Sequence, residues 1–210
     1  RFTYFAFHLL KNRIVCDKIY NVYLSEPAYA VRSHIHERNG HIMKDRGMGR
    51  VVGICGRSGS GKTTVCKAFE ELGAKSIDTD RVYRDLTRAD DDGMPSECVR
   101  MIANKFGGKV IASDGSLNRA YLARIVFGDK EKLSLLNSIT HKRIMERTEA
   151  MIFEYLRMGT TCVLVDAPAL FESGFDKKCD AVVCVTAPED TLVRRIVARD
   201  GITPEQAMRR

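Results

Sequence analysis

The chain has 210 residues, of which 44% are hydrophobic and 29% charged, and its formal net charge is +7. This is the balance of a globular protein with room for one α/β domain and a short extension. No apolar run approaches the roughly 20 residues of a membrane helix, and residues 2–10, the most apolar stretch, lack a signal-peptide cleavage pattern, so a cytoplasmic protein with no membrane partner is expected.

The charge is uneven. Residues 1–50 carry nine Lys/Arg against four Asp/Glu, leaving 25 against 23 for residues 51–210. The main domain therefore has no basic face for nucleic acid. Seven cysteines without a C-x-x-C pair argue against a disulfide framework and for a reducing compartment. Cys55, Cys162 and Cys184 fall in apolar, strand-like runs, where a thiol acts as a small hydrophobe. His34, His36 and His41 lack the accompanying ligands that structural zinc needs.

In chain order, residues 1–42 hold seven of the sixteen aromatics and show no sustained helical or alternating pattern. Met43 and Met48 lie just upstream of the first clear strand. The natural protein is expected to start at one of them, with residues 1–42 as upstream sequence translated in frame. The alternative is a genuine extension that packs on the domain, which spans 43–210.

From Arg50 the pattern is clean: a buried strand over Arg50–Cys55, a glycine-rich turn, then a helix over about 62–72. A short strand at 75–77 runs into Asp78, Thr79 and Asp80, and a helical region with an acidic turn at 90–93 follows. Further helices are expected at 96–106, 118–127 and 130–157. Strands at 161–166 and 181–186 come next. Pro188 then opens a helix to about Arg199, and Thr203 and Pro204 begin another that runs to the end of the chain. Strands without alternation are buried on both faces, which predicts an α/β fold with a parallel sheet between helix layers.

The run Gly56-Arg57-Ser58-Gly59-Ser60-Gly61-Lys62-Thr63 fits the phosphate-loop pattern G-x-x-x-x-G-K-[ST]. Its glycines let backbone amides turn toward phosphate oxygens, and the following helix N-terminus adds partial positive charge. Lys62 reaches the β and γ phosphates, and Thr63 offers a hydroxyl to Mg2+. The loop predicts ATP binding but not the reaction. Asp78 and Asp80, where the second strand ends, are carboxylates suited to accept a proton from an attacking hydroxyl. The alternative is a helix cap, which Asp80 would supply through its place before Arg81 and Val82. Asp166 ends a strand in the usual position of a magnesium-associated carboxylate. The apolar stretch 168–172 after it either packs a ligand and presents Glu172 or is a buried turn with Glu172 in solvent. Arg195 and Arg199 share a helical face, suited either to stabilising a transferring phosphate or to solvent.

Taken in order and spacing, these segments resemble the dephospho-coenzyme A kinases. The resemblance covers about 51–210 and rests on several further segments. These are the loop from Gly59 to Thr64, Asp78-Thr79-Asp80 with Arg84, and Phe106-Gly107. Asp114 to Arg119, His141, Asp166 to Glu172, and Arg195 to Gly201 with Arg210 complete the set. It implies a three-layer P-loop kinase fold that phosphorylates the ribose 3′-hydroxyl of dephospho-CoA with ATP and Mg2+, the last step of CoA synthesis.

By the same resemblance Asp80 is the base or hydroxyl-orienting group. Gly56, Gly59, Ser60, Gly61, Lys62, Thr63 and Thr64 hold the nucleotide, and Thr63 and Asp166 the metal. Asp78, Arg84, Arg119, His141, Pro168, Leu170 and Glu172 contact the CoA portion. Arg195, Arg199 and Arg210 are lid arginines. The implied parts are a core at 48–80 and 158–194, a helical substrate region at 81–157, and a lid at 195–210. Arg57-Ser58 departs from the family's Gly-Ile, Ala169 from leucine, and Lys142 from proline. Family members continue past the position of Arg210 with a further strand and helix, so an open sheet edge and a truncated, poorly stable chain are expected. The competing readings are another small-molecule or nucleotide P-loop kinase and a non-catalytic ATP-binding module. Oligomeric state is not legible.

Overall fold

The structure, a computed structural model, describes residues 18–23, 35–37 and 49–209. The possible starts at Met43 and Met48, the histidines at 34 and 41, and Arg210 lie outside the described residues.

Among the described residues, six strands form one sheet in the order β2-β1-β6-β3-β5-β4. They are β1 Lys18–Tyr23, β2 Ile35–Glu37, β3 Arg50–Cys55, β4 Lys75–Asp78, β5 Cys162–Asp166 and β6 Ala181–Thr186. The central β3 runs parallel to both β5 and β6, with Val52 opposite Leu164 and Cys55 opposite Cys184. Its residues 51–55 are all buried, as the unbroken apolar run predicts.

The helices are α1 Lys62–Glu70, α2 Thr79–Leu86, α3 Glu97–Phe106, α4 Arg119–Val126, α5 Lys130–Arg157, α6 Glu189–Asp200 and α7 Pro204–Met208. The last ends at Met208, with Arg209 in the C-cap position, rather than continuing along the chain.

An open sheet edge is expected from the sequence, but beside β6 the structure adds a further strand. Ile19 through Tyr23 pair in parallel with Val182 through Thr186, and β2 adds antiparallel to β1. Ile19, Tyr20, Val22 and Tyr23 are β-branched or aromatic and suit a pleated surface. The partner that makes them a strand lies some 160 residues away, and no local periodicity reveals it.

The chain divides into two compact units: residues 1–77 with 152–210, and residues 78–151. The first is built around the sheet. Val65, Cys66 and Phe69, on one face of α1, pack with Val52, Ile54, Leu164, Val183 and Val185. Leu164 is fully buried, so Leu164→Ala is expected to cost about 2–5 kcal/mol through lost apolar burial and the cavity left behind. Urea unfolding would show this as a lower midpoint with unchanged slope. The second unit has its own core of Val99, Ile102, Val110, Leu117, Leu122 and Leu136, with Tyr83, Leu86 and Phe106 against it.

Candidate active site

The first unit carries a complete phosphate cradle. β3 ends at Cys55, the loop turns over residues 56–61, and α1 starts at Lys62 with Gly61 as an N-cap that offers no side-chain hydrogen bond. The first amides of that helix are thus not used up by a capping side chain and can meet an anion. Lys62 Nζ donates to the Gly56 carbonyl at 2.9 Å, which folds the side chain back over the loop. Thr63 and Thr64 are exposed on the first turn, while Ser60 is buried. The Ser60 and Thr186 hydroxyls are buried without a hydrogen-bond partner among the described residues. Orphaned polar atoms of this kind suit a site that a polar ligand completes.

Two glycines are dictated by close approach. Gly56 has φ of 145°, and a Cβ there would lie 2.2 Å from the Val185 carbonyl oxygen. Gly59 has φ of 78°, and its Cβ would fall 2.9 Å from the Leu192 carbonyl oxygen. Gly56→Ala is therefore expected to cost about 1–3 kcal/mol in backbone strain and to abolish binding of a fluorescent ATP analogue, since the loop must shift to admit the methyl group.

Helix α6 holds the loop from behind. Arg195 donates one guanidinium nitrogen to the carbonyls of Gly59 at 3.2 Å and Ser60 at 3.4 Å. Arg199 donates to Ser58 Oγ at 3.1 Å and is paired with Asp200 at 2.6 and 2.9 Å. The two arginines predicted on one helical face do come to the phosphate loop, Arg195 through backbone carbonyls and Arg199 through a serine hydroxyl. Ser58, one of the two loop residues that depart from the family's pattern, is what Arg199 contacts. Asp166 closes β5 and stands opposite Ile54 of β3, one residue before the loop strand ends.

The stretch 168–172 divides by residue. Leu170 is fully buried, and a Cβ on Gly53 would lie 2.8 Å from it, so Leu170 packs beneath β3 as core. Pro168 and Glu172 are exposed. Leu170 is thus part of the core, whereas Pro168 and Glu172 stand on the surface of the loop after β5.

In the second unit, Asp78 and Asp80 are placed differently. Asp78 caps α2: its Oδ1 accepts from the amides of Asp80 at 2.9 Å and Arg81 at 3.2 Å. Asp80, expected as the alternative cap, instead sits exposed in the first helical turn. The helix begins at Thr79, so the two carboxylates do not share the face of an extended segment. Arg84 lies 3.6 Å from Asp78, both side chains being more than half exposed, a pair of little energetic weight.

Arg119 is held on two sides. It donates to Thr87 Oγ1 at 2.8 Å, and its guanidinium carbon lies 5.1 Å from the centre of the Tyr83 ring. Thr87 is buried and donates in turn to the Tyr83 carbonyl at 2.7 Å. Burial pushes the Tyr83 phenol above its ordinary range, keeping it neutral beside the cation. His141 lies half-buried on α5.

The sequence did not single out Thr87, Tyr83 or Thr186. The spacing Tyr83-x-x-x-Thr87 on a helix was the available signal for the first two. Nothing local marked Thr186.

The dephospho-CoA kinase family profile matches residues 50–210, the whole of the described domain from β3 onward. The dephospho-CoA kinase of Dehalococcoides mccartyi is 38% identical over 161 residues, covering 77% of this chain and 78% of that protein. That of Moorella thermoacetica is 40% identical over 158 residues, covering 75% and 72%. Among solved structures, TT1252 from Thermus thermophilus superposes with a TM-score of 0.60 at 28% identity, covering 78% of each chain. The dephospho-CoA kinase from Campylobacter jejuni, at 24% identity and a TM-score of 0.53 over 76% of this chain and 77% of that one, shares the fold. With the profile running through the phosphate loop, Asp80, Arg119 and the α6 arginines alike, the chain belongs to the dephospho-CoA kinase family.

Proposed function

We propose that the chain transfers the γ-phosphoryl group of ATP to the ribose 3′-hydroxyl of dephospho-CoA, giving CoA and ADP. The observation that carries this reading is a complete phosphate loop, braced by Arg195, within a domain that matches one family from residue 50 onward.

In this reading Lys62 leaves the Gly56 carbonyl and follows the β and γ phosphates, and the amides of the loop and of the start of α1 bind their oxygens. Asp80 accepts the proton of the attacking 3′-hydroxyl. Its carboxylate is suited to this because Asp78 performs the capping. Arg195 keeps the loop carbonyls turned away from the phosphates, and Arg199 draws positive charge toward Ser58 and the loop. The residues fit a magnesium ion as hard oxygen donors: the Thr63 hydroxyl in the first turn of α1 and the Asp166 carboxylate on the strand beside β3 would hold it. When bound, the ion neutralises charge on the β and γ phosphates.

The CoA portion is assigned to the unit of residues 78–151, through Arg119 (positioned by Thr87 and Tyr83), Arg84 and His141. Pro168 and Glu172 contribute from the loop after β5. Residues 195–210, with Arg210, act as the lid, and the protein works in the cytoplasm. Residues 1–42 are assigned to an N-terminal extension, whose strands β1 and β2 add to the edge of the kinase sheet.

A panel assay tests the acceptor. ADP release should be stimulated by dephospho-CoA and not by nucleosides or nucleoside monophosphates. Stimulation by a nucleoside monophosphate instead would move the chain to another P-loop kinase activity, and none by any acceptor would leave only ATP binding.

A further inference from the structure

Two thiols meet at the base of the phosphate loop. Cys55 and Cys184 are register partners on the adjacent parallel strands β3 and β6, so their side chains project to the same face. Neighbouring strands lie about 4.7–4.9 Å apart, inside the Cα separation of about 4.4–6.8 Å that a disulfide spans. The two side chains are hydrogen-bonded to each other, and Lys62 sets its positive charge near both. Cys55 is buried and Cys184 only partly so, so a small oxidant reaches Cys184 first.

The electrostatics favour the same order of events. The hydrogen bond from Cys55, aided by Lys62 and opposed by burial, lowers the Cys184 thiol to about 7. The same hydrogen bond and burial push Cys55 up, with Asp166 adding to the rise. Cys162 and Cys179, by contrast, are pushed up to about 12 by burial.

We propose that Cys55 and Cys184 form a peroxide-sensitive dithiol site whose disulfide fixes the base of the phosphate loop and suppresses nucleotide turnover. This goes beyond the assigned kinase activity. The Cys184 sulfur attacks one oxygen of hydrogen peroxide and the O–O bond breaks; the other oxygen leaves as hydroxide and takes up a proton, and a sulfenic acid remains. The Cys55 sulfur then attacks the Cys184 sulfur, the S–O bond breaks and water departs. Two thiols lose two electrons and two protons, and peroxide becomes two waters.

The loop feels the bridge because Cys55 passes directly into Gly56, whose carbonyl receives Lys62. Gly56 has no room to move against Val185: a methyl group there would already meet the Val185 carbonyl oxygen at 2.2 Å. A bond between the two sulfurs therefore ties Cys55 to β6 and takes from the loop the freedom to adjust around a nucleotide.

The test treats the reduced chain with hydrogen peroxide and reads cross-linked peptides by mass spectrometry, binding of a fluorescent ATP analogue, and ADP release. A peptide joining Cys55 to Cys184 should form, with analogue binding and turnover falling about 10- to 100-fold, as expected when a fixed loop cannot bring its amides onto the phosphates to within about 1 Å. Dithiothreitol should restore both. Cys184→Ala should keep the untreated activity and resist peroxide, and Cys184→Ser serves the same purpose if alanine impairs folding. Cys55→Ala should accumulate a sulfenic acid at Cys184, trapped by dimedone. A cross-link elsewhere, a 55–184 link without loss of analogue binding, or equal inactivation of Cys184→Ala would overturn the proposal. Cross-link and analogue binding are read without an acceptor, so a failed kinase assignment leaves them interpretable.

Discussion

Asp80→Asn is expected to lower kcat for dephospho-CoA phosphorylation by about 10²–10⁴-fold, the range a positioned general base contributes, while leaving ATP binding and the melting temperature nearly unchanged. The separation follows from the helix start. The cap on α2 comes from the Asp78 carboxylate, and Asp80 supplies only its backbone amide to that cap. Asparagine keeps the amide and the shape, so its effect on stability should stay within about 0.5 kcal/mol. Asp78→Ala should show the opposite balance. It removes the acceptor for two amides and should cost about 0.5–2 kcal/mol, with a visible drop in melting temperature and a smaller effect on turnover. Equal losses of kcat for the two variants would mean that the carboxylates do not divide their roles in this way.

Arg195→Ala is expected to raise the KM for ATP and lower kcat together, with kcat/KM falling about 10²-fold or more. The guanidinium holds the carbonyls of Gly59 and Ser60, and hydrogen bonds to a charged group contribute about 1.5–3 kcal/mol each. Without it, the loop samples arrangements in which carbonyls, rather than amides, face the phosphate. Arg195→Lys should recover only part of the loss, because an ammonium point charge lacks the rigid fork of a guanidinium. A change confined to kcat would mean that Arg195 acts on the transferring phosphate alone and that its contact with the loop carries no weight.

Much of this site is legible without coordinates. The phosphate loop announces itself because its glycines are forced by sterics: Gly56 and Gly59 sit where a Cβ would strike backbone of β6 and α6. β6 is read from the sequence at its observed bounds, since Ala181–Thr186 is an apolar run ended by Pro188. Other features depend on partners far along the chain. β1 becomes a strand through β6, and its own residues carry no alternation to reveal that. Arg195 was legible as a cation on the right helix, but its two carbonyl acceptors lie 135 and 136 residues away, and no spacing rule reports which way the side chain turns. Leu170 looked like a ligand wall because an apolar run after a strand end is ambiguous between pocket and core. The glycine opposite it, Gly53, is what admits it to the core.

The division between Asp78 and Asp80 shows how close such readings can be. Aspartate suits the cap position at either residue, and a shift of two residues in the helix start would move the cap from one to the other. Here β4 ends at Asp78 and α2 begins at Thr79, which frees Asp80.

Phosphoryl transfer to one hydroxyl is checked by incubating the chain with ATP, magnesium and dephospho-CoA and locating the new phosphate by mass spectrometry and phosphorus NMR. A single new monophosphate on the ribose 3′-oxygen, formed in step with ADP, is expected. A phosphate at any other position, or ADP released with dephospho-CoA unchanged, would overturn the proposed reaction.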